Sequence, residues 1–298
     1  MGLYKGNQLI SPVEYLKEEF VGIPREVSNQ GVYQMPLKTF TFSLPSNTTD
    51  IGYQGLAYAF RGCTSLTSVN LLSLTTVSGK SGLEFAFQYC TGLTSVDLSS
   101  LTTVSGASGL SSTFSNCKSL TSVDLSSLTT VSGNYGLAYA FYNCSGLTSV
   151  DLSSLTTVAY HGLANAFYGC SALTSVDLSS LTTISGSYGL DYAFEDCTNL
   201  TSVNLSALTT VSGDYGLNYA FRGCTSLTDI YFNALKTTSF GSYKNQFSNM
   251  MISTGTSKTH TIHFPSNLQS TISGLDGYPL FGGTSGYVVC AFDLPATS

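Results

Sequence analysis

Seven cysteines, at positions 63, 90, 117, 144, 170, 197 and 224, are separated by steps of 27, 27, 27, 26, 27 and 27 residues. A fixed period of this length marks an architecture in which one supersecondary unit recurs and stacks on its neighbours. The unit reads GLEFAFQYCTGLTSVDLSSLTTVSGAS from Gly82, and seven copies run from about Gly55 to Phe240. The 26-residue step falls where TVAYHGL replaces forms such as TVSGNYGL. Leu37, Phe40 and Phe42 repeat the spacing of Leu93, Val96 and Leu98 ahead of the first full copy. Past the last copy, THTIHF, ending at Phe264, imitates LTDIYF, ending at Phe232, and Tyr287 to Leu294 has the pattern of a final strand.

Each unit carries two apolar periodicities. Leu93, Val96 and Leu98 follow L-x-x-L-x-L, whose Val-x-Leu end alternates in and out as a strand does. Leu83, Ala86, Phe87 and Cys90 fall at i, i+3, i+4 and i+7, which predicts a short helix. A helix of fewer than about ten residues is unstable in isolation, so neighbouring units must hold it. Gly79 and Gly82 frame the turn into it. Neither element can bury its apolar face alone, whereas stacked copies share one core. The expected fold is an α/β solenoid with a parallel β-sheet on one face and short helices on the other. Residues 37–264 make the solenoid, 1–36 an N-terminal cap and 265–298 a C-terminal cap. Ser11-Pro12-Val13-Glu14 is a capping box with proline at the first helical position, predicting a helix from Pro12 to about Phe20.

The segments AFQYCTGLTSVDL and AFYNCSGLTSVDL resemble the AFxxCxxLTSVDL core of the BspA-type (treponemal) leucine-rich repeat family, over about two-thirds of the chain. The resemblance implies a leucine-rich repeat solenoid. Two departures stand out: the family's common unit is shorter, and it places proline after the strand where Ser or Leu stands here. Its surface members also carry secretion signals, and none is visible at this N-terminus.

Charge narrows the partners. Charged residues make up 9% of the chain, 17 acidic against 11 basic, for a net charge of −6, where ordinary domains carry about 25%. That balance excludes nucleic acid, which requires a basic stripe. No run approaches the ~18 apolar residues needed to span a bilayer, so membrane insertion is not expected. The expected location is a cell surface, the extracellular space or a virion, reached without a classical signal.

The cysteines lie on the inward stripe, with no CxxC and no histidine at ligand spacing. Stacking places successive ones ~5 Å apart, which permits bridging. A shared slot filled by a small hydrophobe is the simpler account, so free buried thiols are expected, Cys290 included. His260 and His263, three apart on a strand, face opposite ways and do not chelate together. His161 sits in a turn and is expected to be solvated. Glu195 and Asp196 adjoin on what reads as an exposed helix surface, unsuited to paired-carboxylate chemistry. With no nucleophile triad and no phosphate loop, neither catalysis nor a cofactor is expected.

Comparing the copies with one another separates constant from variable positions. The strand T-S-V-D-L hardly changes, whereas the outward residues around the cysteine do. Five residues before it stand Tyr58, Phe85, Tyr139, Tyr192 and Tyr219; Tyr89, Tyr142 and Tyr168 precede it closely. Tyr135, Tyr160, Tyr188 and Tyr215 occupy the turns. Tyrosine among Ser, Asn and Gly is the vocabulary of recognition surfaces, and these twelve are the candidate ligand-binding residues; a structural ladder along the stack is the competing role. On the strand face Asp97, Asp124, Asp151 and Asp177 form a candidate acidic track, flanked by Asn70 and Asn204, for a cation, a basic partner or a periodic glycan. The competing reading is duplication of a structural Asp. Adjacent Thr102 and Thr103, if extended, point opposite ways, which argues against a flat threonine array for ice. The expected function is a non-enzymatic binding or adhesion module that recognises a protein or glycan through the solenoid surface, on a bacterial surface or phage particle. The alternative is a structural or assembly protein attached through its N-terminal segment.

Overall fold

The computed structural model describes residues 4–5, 8–9, 39–236, 247, 249–250, 259–273 and 288–296. The helix expected from Pro12 lies outside these residues.

From Phe40 onward the described residues wind into a solenoid with two parallel sheets. The larger has ten strands, from Phe40–Ser43 through the six T-S-V-D/N copies and Asp229–Tyr231 to His260–Pro265 and Val288–Leu294. Identical residues stack in register: Val96 on Val123, Val123 on Val150, Val150 on Val176 and Val176 on Val203. The second sheet has six two-residue strands, from Thr76–Val77 to Thr210–Val211. It was not anticipated, although a β-branched Thr-Val or Thr-Ile pair at that place in every copy is its signal.

Between the walls lies one dry core. Leu93, Val96, Leu98, Leu101, Val104 and their counterparts are buried. Phe60, Phe87, Phe114, Phe141, Phe167, Phe194 and Phe221 form an unbroken column of near-parallel rings with centroids 5.2 to 5.6 Å apart. The seven repeat cysteines are free thiols and buried, whereas Cys290, expected to be buried with them, is only partly so. Each thiol from Cys90 to Cys224 donates to the phenylalanine carbonyl of the preceding coil, as Cys144 Sγ does to Phe114 O at 3.1 Å. The slot therefore wants a small hydrophobe that carries a weak donor, which alanine lacks. Burial pushes the thiols of Cys63 and Cys144 up to about 12.

The short helices expected opposite the main sheet are absent from the repeats. Their place is taken by a ribbon of overlapping turns. Alternate amides close turns within the coil, as Glu84 N does to Ser81 O and Ala86 N to Leu83 O, while those between donate to the next coil, Leu83 N to Gly109 O and Phe85 N to Ser111 O. Ser81, Phe85 and Tyr89 have φ of 57°, 56° and 61°, and the same three positions are left-handed in the other coils. A right-handed helix cannot contain them. The i, i+3, i+4 apolar spacing survives because this ribbon, like a helix, returns every fourth residue to the same side. What it gains over a helix is a hydrogen bond to the neighbouring coil from every second amide.

In the 26-residue coil Ala159 takes the place of the turn glycine, its carbonyl accepting from Gly162 as Gly133 O does from Gly136. Elsewhere that place has no room for a side chain: a Cβ on Gly106 would lie 2.1 Å from Gly79 O.

Candidate functional site

The left-handed residues decide what the turn flank displays. Residues nine and five before each cysteine carry positive φ, and stacking of coils aligns them into columns. A bulky residue in this conformation costs roughly 1–2 kcal/mol, and ring stacking with the next coil returns about 0.5–1.5 kcal/mol. In the first column Tyr135, His161, Tyr188 and Tyr215 stack at 4.5, 4.7 and 5.1 Å. His161 is thus a rung of the ladder rather than a solvated turn residue, and burial lowers its pKa. Tyr160 stands edge-on to Tyr135 and His161, exposed.

The second column is interrupted. Tyr58 stacks on Phe85 at 4.9 Å and Tyr192 on Tyr219 at 4.6 Å, whereas Tyr139 has no ring partner in this column in either neighbouring coil, where a buried Ser112 stands on one side and Asn165 on the other. Tyr142, in the same coil as Tyr139, stacks on Tyr168 at 4.8 Å. Beyond Tyr168 that third column continues as Glu195 and Arg222. Tyr89 is exposed at the far end, with the Arg61 guanidinium 5.8 Å from its ring.

Around the interruption the surface opens into a groove of about 630 Å³, lined by Tyr135, Tyr139, Tyr142, His161, Ala164, Asn165, Tyr168, Asp191, Tyr192, Glu195 and Arg222. Seven of the twelve candidates therefore lie apart from it: Tyr58, Tyr89, Tyr160, Tyr188, Tyr215 and Tyr219, together with Phe85. Asp191 and Glu195 are buried in its wall. Asp191 Oδ1 accepts from Asn218 Nδ2 at 2.7 Å, and burial raises its pKa to about 6. Glu195 Oε1 meets Arg222 Nη1 at 3.2 Å, while Oε2 is buried without a hydrogen-bond partner among the described residues. Burial outweighs Arg222 and pushes the Glu195 carboxyl up to about 7. Glu195 was expected on an exposed surface beside Asp196. Only Asp196 is exposed, because the ribbon turns alternate residues toward the neighbouring coil.

The acidic track has a structural occupation. Asp97, Asp124, Asp151 and Asp177 stack in register, each accepting at Oδ1 from the backbone N–H two residues on, at 2.8 to 3.1 Å. Asn70 and Asn204 make the same bond to Leu72 and Ser206. What the position requires is therefore a side-chain acceptor closing an Asx turn, not a charge. Among the described residues no group of three or more His, Cys, Asp or Glu is placed to hold a metal. The Thr102 and Thr103 side chains do not point opposite ways as expected: their hydroxyls are 3.5 Å apart, with Thr102 donating to Thr75 O at 3.0 Å. No helix among the described residues is long and apolar enough to cross a membrane.

Near the C-terminus His263 Nδ1 and Nε2 meet Asp293 and Asp229 at 2.9 and 3.2 Å, and the ring stacks on Tyr231. His260 points inward instead, its Nδ1 against the Leu227 carbonyl.

A family model described as "BspA type Leucine rich repeat region" matches residues 26–160 and 138–268 in six copies. Among solved structures, a leucine-rich repeat protein from Bacteroides ovatus aligns at 20% identity over 85% of this chain and 68% of its own, with a TM-score of 0.40. A leucine-rich repeat protein from T. pallidum aligns at 24% identity over 68% of this chain and 73% of its own, with a TM-score of 0.38. A leucine-rich cell surface protein from Faecalibacterium prausnitzii aligns at 16% identity over 77% of this chain and 82% of its own, with a TM-score of 0.25. No curated protein matches the chain.

Proposed function

The chain belongs to the BspA-type leucine-rich repeat family, and on that premise we propose that it is a non-enzymatic binding module, displayed on a cell surface or phage particle, that engages a protein or glycan through its turn flank. The observation that carries this reading is the groove at Asn165, where tyrosine columns border a break in the ladder and two carboxylates line the wall. Repeat scaffolds use such extended surfaces for binding, and rigid tyrosines give contact area at small entropic expense. The opposite face offers less, since its recurring Asp side chains are already engaged in turns. The test is capture of partner by immobilised protein, from cell-surface extract and on a glycan array, with Tyr139→Ala plus Tyr192→Ala beside Asp124→Asn plus Asp151→Asn. Loss in the tyrosine pair alone supports the flank. Loss in the aspartate pair alone, or capture of nothing by the wild type, overturns it.

A further inference from the structure

We infer that the break at Asn165 is a saccharide subsite, in which a neutral pyranose ring takes the place of the missing aromatic rung between the coils of Tyr139 and Tyr192. This deepens the binding reading and rests on it.

Three observations lead to it. The first is spacing. Stacked rings elsewhere on this flank recur at 4.5 to 5.1 Å, one per coil. Omitting one rung separates the flanking coils by about 9–10 Å, two strand spacings. That leaves room for one ring with van der Waals contact on both faces. The second is the polar wall. Glu195 is 4% exposed, and its Oε2 has no hydrogen-bond partner among the described residues although it lines the groove. An unmet buried acceptor is unfavourable, and a ligand hydroxyl donating to it removes that penalty. Asp191, Asn165 and Arg222 stand in the same lining, giving acceptors and donors for neighbouring hydroxyls. The third is charge. Arg222 is already paired with Glu195 at 3.2 Å, so the groove carries opposed charges within one wall. A cationic ligand would meet the guanidinium and an anionic one the carboxylates; a neutral polyhydroxylated ring meets neither penalty. Faces that are apolar and edges that are polar match this site, rings above and below with carboxylates and amide at the side.

The decisive variant is Asn165→Tyr. It places in the gap the residue that occupies this left-handed position in coils at Tyr139, Tyr192 and Tyr219, so it closes the subsite without opening a hole. The probes are a panel of neutral hexose and N-acetylhexosamine oligosaccharides and, beside it, tyrosine- and phenylalanine-bearing peptides, both titrated by calorimetry into the full chain. Wild type is expected to bind a neutral oligosaccharide. Asn165→Tyr is expected to weaken that binding at least tenfold with an unchanged melting temperature or a higher one, and Glu195→Gln to weaken it several-fold. Tyr58→Ala, several coils away, is expected to leave it unaltered. Undiminished sugar binding in Asn165→Tyr overturns the subsite while leaving the flank intact as a binding surface. Binding of the peptides but no sugar overturns the saccharide assignment. Binding of neither probe overturns the subsite, while partner capture by the flank remains a separate measurement.

Discussion

Truncating Phe141 to alanine tests whether the column of rings is the element that holds the coils together. The Phe141 ring is wholly buried, 5.5 Å from Phe114 and 5.3 Å from Phe167, with interplanar angles of 9° and 6°. Its backbone is fixed from both sides, Phe114 N donating to Ala140 O and Phe141 N to Ala166 O, each at 2.8 Å. The neighbouring coils therefore cannot close over the void, which places the loss at the upper end of the 3–5 kcal/mol range, about 4–5 kcal/mol, for phenylalanine truncations. Phe141→Leu keeps most of the volume and is expected to lose under about 1.5 kcal/mol. Urea unfolding followed by circular dichroism measures both. Because each coil touches only its neighbours, hydrogen exchange is expected to accelerate in the coils of Phe114, Phe141 and Phe167 while the coil of Phe87 stays protected. A loss below about 1.5 kcal/mol for Phe141→Ala would show that the cavity collapses and that the coils are less rigidly spaced than the hydrogen-bond ladder requires.

Asp124→Asn should leave stability within about 0.5 kcal/mol of wild type, whereas Asp124→Ala should lose about 1 kcal/mol, since only the amide replaces the acceptor that Ser126 N–H needs; equal loss in both would restore charge as the requirement. Ser126 holds the Asp124 carboxyl below its usual value, so acid titration of this residue by NMR should find a lowered midpoint. In the groove wall the sign runs the other way. Glu195 and Asp191 have folded values near 7 and 6, above those of an unfolded chain, so the native state holds the extra protons and stability falls as pH rises from about 4.5 toward 7. Glu195→Gln should flatten that slope in urea titrations at several pH values; an unaltered slope would place its origin elsewhere. For His263, burial lowers the pKa but the bonds to Asp293 and Asp229 dominate and raise it. The stabilisation of the last strand pair is then fully present below about 6.5 and lost as pH rises through the raised value, which exchange of the Val289 to Asp293 amides should report.

The period, the parallel stacking and the inward positions of Leu, Val, Phe and Cys followed from the sequence because identical coils present identical side chains to one another. The ribbon of turns did not, because its apolar spacing mimics a helix. The residues just before the cysteine, Gly62, Asn116, Asn143, Gly169, Asp196 and Gly223, were the available warning: Gly, Asn and Asp are the types that tolerate left-handed backbone. Tyr89 at the same place obscured it. The tyrosines were recognised as an outward set. Their division into continuous ladders and one interrupted column was not, since it depends on which residues meet across coils. The burial of Glu195 is illegible for the same reason: on a helix its position faces water, and on the ribbon it faces the next coil.

The thiol column has a consequence for where such a chain can mature. Each sulfur from Cys90 to Cys224 is engaged as a donor to a carbonyl one coil back, and burial keeps the thiolate out of reach at physiological pH. Disulfide exchange proceeds through the thiolate, so oxidants and glutathione find none of the column's buried thiols to attack while the coils are closed. The scaffold asks no redox machinery to assemble it and carries none of its cohesion in bonds that a reducing medium would cut.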